Sequence, residues 1–196
     1  LASQGLTINS LKRDPSVMIA ALSGLYIDEV HSEDGLRAAY NTERAYFDGY
    51  YGEALGVRAI LLQASLYPNE FISRTFEVAE RELIKTMELV SSEEDFIAIA
   101  QELSEAKGVL AKGAQHWMPK LDKQIGTELL TEAFSRWGGQ PELPALPPDR
   151  LLGPRRTPKG YAVLWISGRR PAPAWESMAV YVRQDLRRRF IEEVLK

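Results

Sequence analysis

Apolar residues recur along this chain in alternating steps of three and four, the period of one face of an α-helix. The clearest series runs Phe96, Ile99, Leu103, Ala106, Leu110, Gly113, Trp117, and a second runs Ile72, Phe76, Ala79, Leu83, Thr86, Val90. The longest begins at Leu36 and passes through Tyr40, Glu43, Phe47, Tyr50, Ala54, Val57 and Leu61 to Ala64. Such spacing puts one seam on each helix, suited to packing nearly aligned partners. The pattern predicts a mainly α protein, an antiparallel helical bundle.

Caps and breakers set the expected boundaries. Asp14-Pro15 is a helix start, because Asp accepts from orphan amides and Pro tolerates the first helical position. A first helix is expected from there to Val30, behind a loosely ordered lead-in over residues 1–13. Ser32 to Asp34 caps a second helix that can reach Tyr67, where Pro68 follows. Gly49, Gly52 and Gly56 each weaken it by up to about 1 kcal/mol and point to a kink or a close helix approach. A third helix runs from Pro68 to Val90, and a fourth is capped at Ser91 or Ser92 and continues to Trp117 or Met118. A fifth runs from about Pro119 to Trp137, closed by Gly138-Gly139. Connections this short make neighbours antiparallel, so the bundle is assigned to 14–139.

The helical period stops after Gly139. Pro141, Pro144, Pro147, Pro148, Pro154 and Pro158 rule out a regular element, and 140–160 is assigned as a Pro-rich strap. Tyr161 to Ile166 has strand composition and needs a partner segment outside the recognised pattern, or a second chain. Trp175, Met178, Val182, Leu186, Phe190 and Val194 then mark an amphipathic C-terminal helix. Residues 161–196, a short strand or hairpin plus that helix, are expected to pack on the bundle.

Size and composition narrow the classes. A chain of 196 residues can bury a sizeable core without staples. It has no cysteine, which excludes disulfides, Cys-ligated metal and thiol chemistry. The net charge of −3 hides a division: 13 Lys and Arg face 21 Asp and Glu in residues 1–140, against 11 and 6 in 141–196. Either the basic end docks on the acidic bundle or it offers a surface to an acidic partner. The chain starts at Leu1 rather than Met, which implies an upstream segment that was processed or cut. No stretch is apolar enough to span a bilayer. A cytoplasmic setting is favoured, with a periplasmic one if an N-terminal segment was removed.

Few side chains suggest chemistry. Glu43 sits at a seam position, either as a core acid able to hold metal or move a proton, or at the rim paired with an arginine. His31 lies among Glu29, Glu33 and Asp34 at a helix junction, but without a metal-binding spacing. His116 is expected at a helix C-terminus, where the dipole accounts for it. Tyr40, Tyr46, Tyr50, Tyr51 and Phe47 cover more than one helix face. Some of them must therefore pack on another helix or anchor a partner. Arg155-Arg156, Arg169-Arg170 and Arg187 to Arg189 form basic clusters without a recognised nucleic-acid motif. Phosphate loops, nucleophile elbows and dinucleotide fingerprints are absent.

These features point to a non-enzymatic protein-binding module: a bacterial regulator, an adaptor or a toxin-neutralising (immunity) partner. Its partner contacts are assigned to Tyr46, Tyr50, Tyr51, Arg169 and Arg170, with no catalytic residue, metal or cofactor expected. One alternative is an enzyme or metal-binding bundle using Glu43 with His31 or His116. The other is anion or RNA binding through the C-terminal arginines, with nucleic acid the less favoured partner.

Overall fold

Residues 54–63, Ala-Leu-Gly-Val-Arg-Ala-Ile-Leu-Leu-Gln, are almost continuously aliphatic, and a run of this kind is at home in a strand buried on both faces. That is its state in the computed structural model, which describes residues 14–30, 32–123, 125–144 and 147–194. The described elements are α1 (Pro15–Val30), α2 (Glu33–Thr42), α3 (Arg44–Tyr51), β1 (Ala54–Gln63), α4 (Phe76–Glu88), α5 (Glu93–Leu103), β2 (His116–Pro119), α6 (Thr127–Trp137), β3 (Leu151–Thr157), β4 (Gly160–Arg170) and α7 (Trp175–Val194). Short 3-10 segments cover Gly108–Gly113 and Pro147–Arg150. The chain divides into two compact units, one from Asp48 to Ala172 and the other from the residues up to Phe47 together with those from Pro173 onward.

The Asp48–Ala172 unit is built on a four-stranded sheet of order β2-β1-β4-β3, antiparallel at every pairing. Side chains alternate across it as the pleat requires. Ile60, Leu62, Val163, Trp165 and Leu151 pack with Ala79 and Leu83 of α4 and with Phe96 and Ala100 of α5. Leu55, Val57, Ala59, Ala162, Leu164 and Ile166 pack on the opposite side with Leu129, Leu130, Ala133 and Trp137 of α6. This is a mixed α/β arrangement of a sheet between two helical layers, and it corrects the expected bundle over 14–139.

Each departure from the expected helices has a local cause. The long second helix stops at Thr42, Glu43 adopts a non-helical cap conformation, and α3 ends at Tyr51 before Gly52. Ala54, Val57, Leu61 and Ala64 fit a helical seam only because nearly every position around them is apolar. The third helix starts at Phe76, capped by the Thr75 hydroxyl, which accepts from the Val78 amide. The fourth ends at Leu103; beyond it Gly113 has φ +73°, and a Cβ there would stand 2.7 Å from Ala100 Cβ. Leu110, Gly113 and Trp117 therefore leave the helical seam, and His116 to Pro119 become edge strand β2. The Pro-rich segment supplies β3, an edge strand in which Pro154 is tolerated. The Tyr161–Ile166 run belongs to β4, whose partners are β1 and β3.

The other unit is helical. Asp14 caps α1 by accepting from the Ser16 amide at 2.9 Å. α7 packs against α1 and α2 and buries Met178 and Val182, while Leu36 and Phe47 are buried from the N-terminal stretch. Arg37 lies 4.3 Å over the Trp175 ring, whose edge meets Tyr40 at 5.7 Å. Asp185 is buried at the centre of an ionic cluster. Its Oδ1 accepts from Tyr46 Oη at 3.0 Å and from Arg188, and its Oδ2 lies 2.7 Å from Arg189 Nε. Arg189 also binds both Glu43 oxygens, at 2.9 and 2.8 Å.

Burial alone would raise the Asp185 carboxyl, but the hydrogen bonds from Arg188 and Tyr46 and the charge of Arg189 hold it below the usual range. A depressed carboxyl stabilises the fold above its unfolded value, near 3.9, and that contribution is lost as pH falls through the folded value. Asp185→Asn is expected to cost about 3 kcal/mol or more in urea unfolding at pH 7, and Tyr46→Phe about 1–2 kcal/mol. The gap between wild type and Asp185→Asn should shrink below about pH 4. A gap independent of pH would show that the carboxylate's charge is not what matters.

Candidate functional site

The pairing of β1 with β4 sets Ala59 opposite Leu164 and Leu61 opposite Ala162. All four side chains face the α6 side of the sheet, with the two alanines on one diagonal and the two leucines on the other. Helix α6 covers the neighbouring surface but begins only at Thr127, after Gly126 turns the chain with φ +92°. Small side chains beyond the start of the covering helix leave a cavity of about 640 Å³. Its buried floor is Ala59, Ala162, Leu110 and Ile125, with Leu61 half-buried beside them. Its rim carries Gln63, Glu105, Lys107, Lys123, Thr157 and Lys159.

The rim is held by main-chain pairing. Glu105 N–H donates to Leu61 O at 2.8 Å, and Leu61 N–H donates to Ser104 Oγ at 3.2 Å. The Glu105 carboxylate accepts from the Gln63 amide and from Arg74 Nη1 at 3.2 Å. Arg74 also donates to Gln63 O at 3.1 Å and pairs with Glu82 at 2.8 Å. A strand end, the segment after α5 and the loop after β1 are thereby tied together.

Gln63, Glu105, Ala106 and Lys107 are a wall shared with a second hollow of about 380 Å³, whose other side is the loop residues Phe71, Ile72 and Ser73. That loop is hydrogen-bonded: Ser65 N–H reaches Arg74 O at 3.0 Å, and Asn69 Oδ1 accepts from the Phe71 and Ile72 amides. Yet Leu66, Tyr67 and Phe71 are 71%, 85% and 87% exposed. Phe71 lines the second hollow, and the three together expose bulky apolar area on one short loop. Among the described residues the lining holds no histidine, serine or aspartate.

The residues singled out from the sequence lie elsewhere. Tyr46 is in the helical unit, bonded to Asp185 and lying 4.5 Å beneath Arg189. Tyr50 and Tyr51 belong to the sheet unit, half-buried, with ring centroids 6.4 Å apart. Arg169 pairs with Glu53, and Arg170 lies 5.3 Å over Trp117. Glu43 is bound to Arg189, and His116 is half-buried in β2 opposite Val57; His31 lies outside the described residues. The other arginine clusters are engaged as well: Arg155 with Glu132, Arg156 over Phe76, Arg187 with Ala20 O and Arg188 with Asp185. Among the described residues no group of three or more His, Asp or Glu could hold a metal ion, and no helix is long and apolar enough to cross a membrane. Sequence reasoning missed Ala59 and Ala162, whose one signal is a small residue inside each aliphatic run.

No family model and no curated protein matches the chain. Among solved structures it resembles the foldase protein PrsA from Streptococcus pneumoniae, with 12% identity, coverage of 97% of this chain and 63% of that one, and a TM-score of 0.51. Looser likenesses are to a peptidylprolyl isomerase (PrsA) from Bacillus cereus (18% identity, 88% of this chain and 53% of that one, TM-score 0.44) and to a PpiC-type peptidyl-prolyl cis-trans isomerase domain (25% identity, 63% and 96%, TM-score 0.42). The chain thus spans 63% of the pneumococcal foldase and 53% of the Bacillus cereus chain. The reading as a regulator, adaptor or toxin-neutralising partner rested on a helical bundle and falls with it: the fold this chain shares is that of the pneumococcal foldase PrsA.

Proposed function

We propose that this chain is a foldase-type chaperone that captures unfolded polypeptide, seating an apolar side chain, proline included, in the Ala59–Ala162 cavity. The observation that carries the reading is the apolar-floored cavity together with the loop whose Phe71 lines the adjoining hollow and which also exposes Leu66 and Tyr67. The fold shared with a protein described as a foldase supports it. One buried aliphatic side chain contributes about 1.5–3 kcal/mol, too little by itself for useful affinity. The loop adds further apolar area, and the sum is weak, multi-point binding that tolerates many sequences. Of the two settings considered, the periplasmic one suits this role better. A chain without cysteine cannot become disulfide-linked to its clients in an oxidising compartment.

Capture does not require catalysis. Isomerising an X–Pro bond means crossing a barrier of about 18–20 kcal/mol through a twisted amide. Large reductions come from groups placed to bond the changing charge. The floor side chains Ala59, Leu61, Leu110, Ile125 and Ala162 can neither donate nor accept a hydrogen bond.

Two outcomes are expected. At equimolar ratio the protein should suppress light scattering by insulin unfolded with a reductant, which leaves this cysteine-free chain untouched. Leu66→Ser/Tyr67→Ser/Phe71→Ser should weaken that protection about tenfold while changing stability by only about 0.5 kcal/mol, and Ala162→Phe should weaken it too by filling the seat, at a packing cost of about 1–3 kcal/mol. Protection unchanged in both variants would remove the site from the reading. In a peptide assay, X–Pro isomerisation should stay within about tenfold of the uncatalysed rate, a barrier change of at most about 1.4 kcal/mol. An acceleration of a thousandfold would make this an isomerase rather than a holding chaperone.

A further inference from the structure

The cavity floor is apolar, but its mouth carries a surplus of positive charge. Lys107 follows α5, Lys123 precedes α6 and Lys159 lies in the β3–β4 turn, so three separate segments each bring one cation to the rim. All three are exposed, and among the described residues none has an ion-pair partner. The one carboxylate of the lining, Glu105, shares Arg74 with Glu82, so three lysines stand against a single acid at the rim. A chain with an overall charge of −3 therefore surrounds its apolar cavity with a surplus of positive charge.

We propose that the cavity prefers client segments in which the seated apolar residue is flanked closely by aspartate or glutamate. This deepens the polypeptide-binding reading and rests on it. An extended client advances about 3.3 Å per residue with side chains alternating in direction. When one apolar side chain is seated, its neighbours pass over the rim within reach of a lysine stem. Lys107 stands on the wall shared with the Phe71 hollow, whereas Lys123 and Lys159 line the large cavity alone. The three lysines come from three separate segments of the rim, so an acidic residue can be met either before or after the apolar one. Exposed pairs of this kind contribute little individually and bias selection rather than create affinity.

The test is fluorescence anisotropy with three labelled peptides that share one apolar, proline-containing centre and carry Glu, Gln or Lys flanks. The Glu-flanked peptide should bind about fivefold more tightly than the Gln-flanked one at about 0.05 M salt, and the difference should vanish near 0.5 M. In Lys107→Gln/Lys123→Gln/Lys159→Gln the Glu-flanked peptide should fall to the affinity of the Gln-flanked one. Equal affinities of the two peptides, both lost in Ala162→Phe, would overturn the selectivity and leave the cavity reading intact. Binding of none of the three would overturn the reading beneath it. Tight, salt-sensitive binding of the Glu-flanked peptide that survives Ala162→Phe would mean attraction away from the cavity, and would also overturn the proposal.

Discussion

The antiparallel pairing of β1 with β4 is the constraint on which the sheet unit depends. It runs from Ala54 opposite Arg170 to Gln63 opposite Gly160, with one irregularity between Gly56 and Val57. Both strands are covered on both faces. A slip of one residue would turn Leu55, Val57, Ala59 and Leu61 from the α6 layer to the α4–α5 layer and do the reverse to Ile60 and Leu62. Few registers satisfy two cores at once. The helical layers are consequences of this choice, since each packs on the set of side chains that the pleat presents to it.

The same register produces the site. Ala59 and Ala162 are about a hundred positions apart in sequence and meet only because Ala59 opposes Leu164 while Leu61 opposes Ala162. Filled by larger side chains, that patch would be ordinary sheet surface. Left small, beyond the point where α6 begins, it is a hollow with an apolar floor. A site made by omission has no reactive group to impose a single substrate. On the proposed reading its specificity would come from what can lie across the mouth.

Much of the helical content is legible from spacing and caps. The Asp14-Pro15 start, the Ser92 cap of α5 and the seam from Trp175 to Val194 all correspond to described helices. The sheet was hidden for a physical reason. In a strand buried on both faces nearly every residue is apolar, so Ala54, Val57, Leu61 and Ala64 satisfy a period of 3.6 without being helical. The series through Leu110, Gly113 and Trp117 fails differently, where a glycine with positive φ packed against Ala100 ends any helical continuation. The candidate site was less legible still. Alanine carries no chemistry to notice, and nothing local reveals that one at 59 and one at 162 share a patch.

Charge misled for a related reason. The arginine runs look like the chain's recognition surface, yet they are consumed internally: Arg189 joins Glu43 and Asp185, Arg155 joins Glu132, and Arg169 joins Glu53. A planar guanidinium holds a carboxylate with two parallel donors, and stacking on rings such as Trp117 or Phe76 adds to that, so Arg is the cation that folds retain for themselves. Lysine, a hydrated point charge on a flexible stem, is less easily bound into a network. Lys107, Lys123 and Lys159 form no run in the sequence and become a group only where three separate segments converge on one cavity.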